Sequence, residues 1–363
     1  MEPTDVELTP TEPALSYEEL ELAFRNRGMP LEGMRYDITP TGMHYLLIHW
    51  DIPEVDSGTW RLAIGGAVTR PSRLTLEEIR SRPSVTMPVT LECAGNGRAR
   101  LSPRPLGQPW LHEAIGTAEW TGTPLRSVLE EVGLGSDAVE IVFTGADVGI
   151  QGDVKQEYQR SLTVADATRD EVLLAYEMNG RPLEPQHGAP LRLLVPGWYG
   201  MTSVKWLVRI DAVTQPFEGY QQAVAYRLQE NEEDDGPRVT RMFPRALMIP
   251  PGITDYPARR RFLEPGPLVL HGRAWSGRGP IVGVEVGIDE AWGEAKLSEP
   301  VGEYAWRGWS FEWDARPGVH ELRCRATDEA GNTQPLEQPW NAQGMSNNLV
   351  QTIRVNVAEK EDR

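Results

Sequence analysis

The sequence predicts an α+β domain followed by an all-β sandwich of immunoglobulin-like size, and three observations lead there. Up to about residue 213 helical and strand-like segments mix irregularly, without the strict alternation of a doubly wound sheet. From Leu268 onward short β-patterned runs follow one another, separated by glycine turns. Between the two, Glu230 to Asp235 carries five acidic residues and closes on Gly236-Pro237, the composition of a solvated linker. The expected boundaries are a disordered tail over 1–14, the α+β domain over 15–228, an acidic connection over 229–263 and the sandwich over 264–358.

In chain order, Ser16 with Glu19 forms a capping box for a helix reaching about Asn26, with Gly28 as its stop. Tyr45 to Trp50 and Trp60 to Val68 read as strands. Thr75 with Glu78 caps a second short helix, and Val85 to Leu91 is an apolar run of buried-strand length. Thr123-Pro124 is an N-cap followed by a proline at the first helical position. Leu125, Val128, Leu129 and Val132 then recur at helical spacing before Gly133. Val139 to Phe143, Val172 to Tyr176 and Leu191 to Val195 read as buried strands, the second leading into an Asn179-Gly180 turn. Val204, Trp206, Val208 and Ile210 alternate with more polar neighbours, the period of a half-buried strand. In the sandwich, Leu268 to Trp275, Ile281 to Ile288, Tyr304 to Trp313, His320 to Thr327 and Val350 to Val357 are the strands, and Cys324 belongs to their core.

Bulk composition narrows the function. A formal net charge of −17 argues against nucleic-acid and acidic-membrane partners, because a phosphate surface needs a basic face. Two cysteines far apart make no disulfide framework, no haem-attachment motif and no iron–sulfur site. The first residues carry neither an apolar signal core nor a twin arginine, and no long apolar run follows, so a cytoplasmic protein is expected.

Against that acidic background two stretches carry chemistry. Leu91-Glu92-Cys93-Ala94-Gly95-Asn96-Gly97-Arg98 places a thiol at a strand end, among residues small enough to admit a bulky group. Arg98 is positioned to favour the thiolate, while a plain core cysteine before a hairpin turn is the alternative. Gln186-His187 through Val204-Lys205-Trp206 gathers His187, Arg192, Ser203 and Lys205 onto strand and glycine turn, where they can converge on one anion. A hydrolase with Cys93 as nucleophile and His49 or His187 as base, or a non-catalytic carrier, also stands on the residues alone.

These segments, with Leu173-Leu174-Ala175-Tyr176-Glu177-Met178-Asn179-Gly180 and Gln338-Pro339-Trp340-Asn341, resemble the sulfite oxidase family of molybdenum–molybdopterin enzymes. The likeness runs from about Arg25 to the C-terminus. It implies one molybdenum–molybdopterin per chain, with Cys93 as the thiolate on the metal and no haem or iron–sulfur cluster. By the same resemblance His49, Asp147, His187, Arg192, Ser203, Val204 and Lys205 hold the pterin and its phosphate. Tyr45, Leu46, Leu47 and Ile48 line that site, and Arg98, Trp110 and Tyr226 line the substrate pocket. The implied reaction is two-electron oxygen-atom transfer to or from a small sulfur or nitrogen oxyanion or oxide, with a separate electron acceptor and a homodimer formed through the sandwich. In two places the chain departs from the family pattern, with Leu47 and Gln343 where arginines are expected. With only Arg98 left among three pocket cations, a less charged substrate than sulfite is expected, since a doubly charged oxyanion sheds its water only against compensating charge.

Overall fold

A computed structural model describes residues 15–231 and 233–358; the tail expected over 1–14 lies outside the described residues. The first half contains two five-stranded sheets. In one, the strands run in the order Ser72–Leu74, Leu62–Gly66, Leu207–Val213, Glu140–Gln151 and Val154–Thr163, with one parallel pairing between Leu62–Gly66 and Leu207–Val213. The other is antiparallel, in the order Val85–Glu92, Ile115–Pro124, Leu173–Met178 and Arg181–Pro182, with Arg192–Leu194 also paired to Leu173–Met178. The helix Leu125–Val132 packs Leu125, Val128, Leu129 and Val132 into the shared core, the four positions its periodicity marks.

In the second half a four-stranded and a six-stranded sheet face each other. Leu270 and Trp309 from one meet Val284, Val286, Leu322, Cys324 and Val355 from the other. This is the sandwich the alternating runs predict, with added short strands Ala291–Glu294 and Lys296–Pro300. Among the described residues no helix is long and apolar enough to cross a membrane.

Several local expectations are corrected, and each correction has a physical cause. Tyr45 to Trp50 is not a strand but a segment with a single bridge, Leu46 to Arg27. Side chains serve its polar groups instead: Asn26 Oδ1 accepts the Ile48 N–H at 2.7 Å, and Lys205 Nζ donates to the Leu47 carbonyl at 2.7 Å. The first helix, Tyr17–Arg25, has the full Ser16/Glu19 capping box but ends at Asn26, whose side chain bonds back to the Leu22 carbonyl; Gly28 plays no capping part. Thr123 does not cap its helix, because its hydroxyl donates to the Ile79 carbonyl and Pro124 takes the N-cap.

The expected strand from Val204 begins only at Leu207. Trp206 sits at φ +48°, and that turn directs Lys205 away from the ladder. Val139 to Phe143 grows into Glu140–Gln151, and its partner Val154–Thr163 was not foreseen from the polar sequence that forms it.

Candidate functional site

Val85–Glu92 delivers Cys93 to the end of an antiparallel sheet, and the Cys93 N–H is tied to the Ala114 carbonyl at 2.9 Å. The turn that follows is held from both sides. Gly97 takes φ +90°, while Gly95 is needed for space, since a Cβ there would meet the Arg98 guanidinium at 2.6 Å. Asn96 donates to Glu92 Oε1 and accepts the Ala114 N–H.

Glu92, beside the thiol, is anchored by the sandwich. Arg245 donates to its Oε1 at 2.6 Å and Trp275 Nε1 to its Oε2 at 2.9 Å, all three buried. Two further bonds, Ser346 N–H to the Ala94 carbonyl and Asn347 Nδ2 to the Gly97 carbonyl, complete a cradle around the cysteine turn.

Cys93 opens into an inner cavity that also touches Tyr45, Leu46, Leu47 and His49, together with Asp147, His187, Arg192, Ser203, Val204, Lys205 and Tyr226. The four convergent residues predicted from the 186–206 stretch do meet. Arg192 is buried over the Trp120 ring and donates to the His187 and Ser203 carbonyls, both at 3.0 Å, bracing the two turns against each other. Ser203 Oγ is spent on the Val195 N–H.

Lys205 donates to the Leu47 and Gln186 carbonyls and lies 4.3 Å from the Trp206 ring centroid. Burial pulls Lys205 down to about 7 and Arg192 to about 10. Burial likewise raises Asp147 to about 6 and lowers His187 to about 3, so the imidazole is neutral. His49 is held by Gln151 through its Nε2 at 3.0 Å.

A second, outer cavity reaches Cys93 from solvent and is lined by Ile48, Arg98, Tyr226 and Gln343 among others. Leu47, His49, Cys93 and Tyr226 belong to both cavities. Trp110 lines neither; it is buried beside the Cys93 sulfur with its Nε1–H out of hydrogen-bonding geometry.

Two expectations about charge change here. Burial pushes the Cys93 thiol up, and the opposing pull of Arg98 does not overcome it, so the protein alone does not favour the thiolate. Arg98 is itself largely committed, donating to the Gln343 and Gln108 carbonyls at 3.0 and 2.9 Å and touching Met345 Sδ.

Sequence reasoning missed His44, Tyr158, Gln186, Met201 and Trp206, which also line the inner cavity. His44 and Trp206 flank motifs already singled out, but Tyr158 lies on the unforeseen strand. His44 Nε2 is buried without a hydrogen-bond partner, and its ring stands edge-on to His187.

Residues 49–221 match the family model for the oxidoreductase molybdopterin binding domain, and residues 255–358 match that for the Mo-co oxidoreductase dimerisation domain. The chain is 33% identical to an NADH nitrate reductase of Solanum lycopersicum over 361 residues, covering 89% of this chain and 39% of that protein. It is 34% identical to an NAD(P)H nitrate reductase of Hordeum vulgare over 351 residues, covering 88% and 39%. The chain thus spans about two-fifths of the length of the curated relatives it matches. The crystal structure of the sulfane dehydrogenase SoxCD from Paracoccus pantotrophus superposes with a TM-score of 0.78 at 26% identity, covering 98% of this chain and 95% of that one.

Proposed function

This chain belongs to the sulfite oxidase family of molybdopterin oxidoreductases, and from that premise we propose that it catalyses two-electron oxygen-atom transfer to or from a small sulfur or nitrogen oxide of low charge. The observation that carries the reading is the position of Cys93, whose sulfur is shared by an inner cation-lined cavity and an outer cavity open to solvent. The residues fit the cofactor. Arg192 is a buried and Lys205 a half-buried cation, both bonded to carbonyls rather than carboxylates, so an anionic group between them relieves an unfavourable desolvation. His44, buried on the wall of the inner cavity, adds an Nε2 that makes no well-formed hydrogen bond in the protein. Among the described residues no group of three or more His, Cys, Asp or Glu is placed to hold a metal. By the family likeness Cys93 would be the protein's donor to molybdenum, the other donors being supplied by the pterin and by oxygen ligands.

His49, Asp147, His187, Arg192 and the Ser203-Val204-Lys205 turn hold the pterin and its phosphate, with Tyr45 to Ile48 as one wall. When bound, the cofactor supplies the two-electron redox couple for oxygen transfer. Around it the chain orients and excludes. The neutral His187 imidazole donates or accepts without adding charge, and Lys205 offers its remaining proton to a phosphate oxygen. On the outer side Tyr226 presents its phenol to the substrate, with burial raising it to about 12, so it is a hydrogen-bond donor throughout the physiological range. Trp110 packs beside the sulfur with its indole N–H directed at Cys93.

Low substrate charge follows from Arg98, which is held by the Gln343 and Gln108 carbonyls and Met345 Sδ, and from Leu47 and Gln343, which bring no charge. The dimerisation-domain match supports a homodimer. A thiol hydrolase finds no support, because among the described residues no hydrogen bond joins Cys93 to an imidazole and His49 Nε2 is engaged by Gln151.

The test is metal analysis and turnover on the purified full chain. About one molybdenum and one pterin per chain are expected, lost in Cys93→Ser. Dimethyl sulfoxide or trimethylamine N-oxide should turn over with an artificial electron carrier more efficiently than sulfite. Molybdenum-free protein with undiminished activity overturns the assignment, and efficient sulfite oxidation overturns the charge argument.

A further inference from the structure

Arg160 lies on the Val154–Thr163 strand, is 2% exposed, and is a cation without a counter-ion. Among the described residues no carboxylate pairs with it. Its Nη1 donates to the Gln221 carbonyl, and its Nε is buried with no partner at all. A further cation, Arg238, adds to the positive charge around it and has its own partner in Glu140 at 3.5 Å. An isolated guanidinium in the interior is costly, and a chain retains one where a compensating negative charge is within reach.

The direction of that charge is set by two phenols. The Arg160 guanidinium stacks on the Tyr226 ring at 5.5 Å to the centroid. Tyr226 in turn faces Tyr158, whose hydroxyl donates to the Met201 carbonyl at 2.9 Å. Both phenols line the inner cavity with Cys93, whereas Arg160 stands one layer behind them. It therefore does not touch substrate; it acts on the cavity through Tyr226, whose ring carries its guanidinium on one face and which lines the cavity beside Cys93.

We propose that Arg160 is a positioning residue of the Cys93 site, holding Tyr226 over the cavity and supplying from behind it the positive charge that offsets the anionic cofactor on Cys93. This rests on the cofactor reading above and adds a residue that neither the local motifs nor the cavity linings single out. It also explains how a pocket whose own arginine is committed to carbonyls, with Leu47 and Gln343 uncharged, keeps a compensating cation: the charge has been moved out of substrate contact.

The test compares the molybdenum-loaded full chain with Arg160→Met, Arg160→Gln and Arg160→Lys. Potentiometric titration followed by electron paramagnetic resonance reads the midpoint of the molybdenum signal, independently of turnover. A nearby positive charge favours the electron-richer form, so losing it lowers the midpoint. The expected change is about tenfold in the one-electron constant, ~59 mV, in the Met and Gln variants, with the Lys variant near wild type. The Gln variant retains a donor for the Gln221 carbonyl, so it carries the test if Arg160→Met does not fold. An unchanged midpoint in loaded Gln or Met protein overturns the proposal, even if stability or metal content falls. Wild-type protein that holds no molybdenum overturns instead the cofactor reading and this inference with it.

Discussion

At the scale of single residues, the inner cavity is built from groups whose value depends on what occupies it. Lys205 illustrates this: it is half-buried, lowered by desolvation to about 7, and bonded to two carbonyls. Replacing it by Met removes a charge that is costly to bury, so the cofactor-free fold should melt at the same or a higher temperature. Cofactor retention should fall, since a charge-assisted bond contributes about 1.5–3 kcal/mol, or roughly 10- to 150-fold in affinity. Melting of apo-protein and pterin content after dialysis measure the two effects separately, and a variant that melts lower yet keeps its pterin contradicts the assignment. Cys93 and Lys205 were legible in the sequence because a thiol after an apolar run and cations in an acidic chain are local signals. Tyr226 was not legible locally. It is placed by a turn at φ +58°, and only the family resemblance pointed to it.

At the scale of elements, legibility followed how far each segment's hydrogen bonds are local. The helix Leu125–Val132 and the Asn179-Gly180 turn, with φ of 52° and 70°, were readable because periodicity and turn chemistry decide them. Tyr45 to Trp50 was misread because its polar groups are served by Asn26 and Lys205, residues distant in sequence.

Gln343 shows the same dependence at the substrate side. Its Oε1 accepts the Tyr226 N–H at 2.9 Å and the Arg227 N–H at 3.4 Å, while its Nε2 donates to the Val224 carbonyl and to Gln229. It is a clamp on the turn that presents Tyr226. Gln343→Arg therefore does more than add a cation, because an all-donor side chain leaves two backbone N–H groups without their acceptor. A loss of about 1–3 kcal/mol is expected by chemical denaturation, with turnover falling through a displaced Tyr226. A variant as stable as wild type that gains sulfite activity would show that the clamp is dispensable.

At the scale of the whole molecule, buried imidazoles set the response to acid. His44, His49, His112 and His187 are all lowered by burial, with His44 at about 4 and His187 at about 3. A group whose folded pKa lies below its unfolded value binds its proton more readily in the unfolded chain. Stability is thus fully present above about pH 6.5 and is lost as pH falls toward the folded values. Asp147, raised to about 6 by burial, works the other way and offsets one of the four over the same range. Cofactor-free protein should accordingly lose stability between about pH 6 and 4. His187→Gln should flatten the slope by up to about 1.4 kcal/mol per pH unit, measurable by urea midpoints across that window. An unchanged slope would mean that His187 is charged in the folded state.

The two halves of the chain are joined through the site itself, and this predicts how they unfold. Arg245 and Trp275 of the sandwich end on Glu92, next to the cysteine. Trp306 donates through its backbone to Thr90 Oγ1 and through its indole to the Asp37 carbonyl, and Arg273 reaches the Met34 carbonyl. The thiol turn is thus folded only when the sandwich is docked. The amino-terminal half alone would keep only Asn96 of the three side chains that donate to the Glu92 carboxylate. Calorimetry of the intact protein should show a single transition for both halves. Arg245→Met leaves the buried Glu92 carboxylate without its cation, with only the neutral donors Trp275 and Asn96 remaining, at a cost of about 3–5 kcal/mol. Because the cost falls on the junction, the variant should resolve into two transitions, the earlier one accompanied by loss of molybdenum. A single transition merely shifted to lower temperature would show instead that the halves are held together by the rest of their interface, with Glu92 only a local partner.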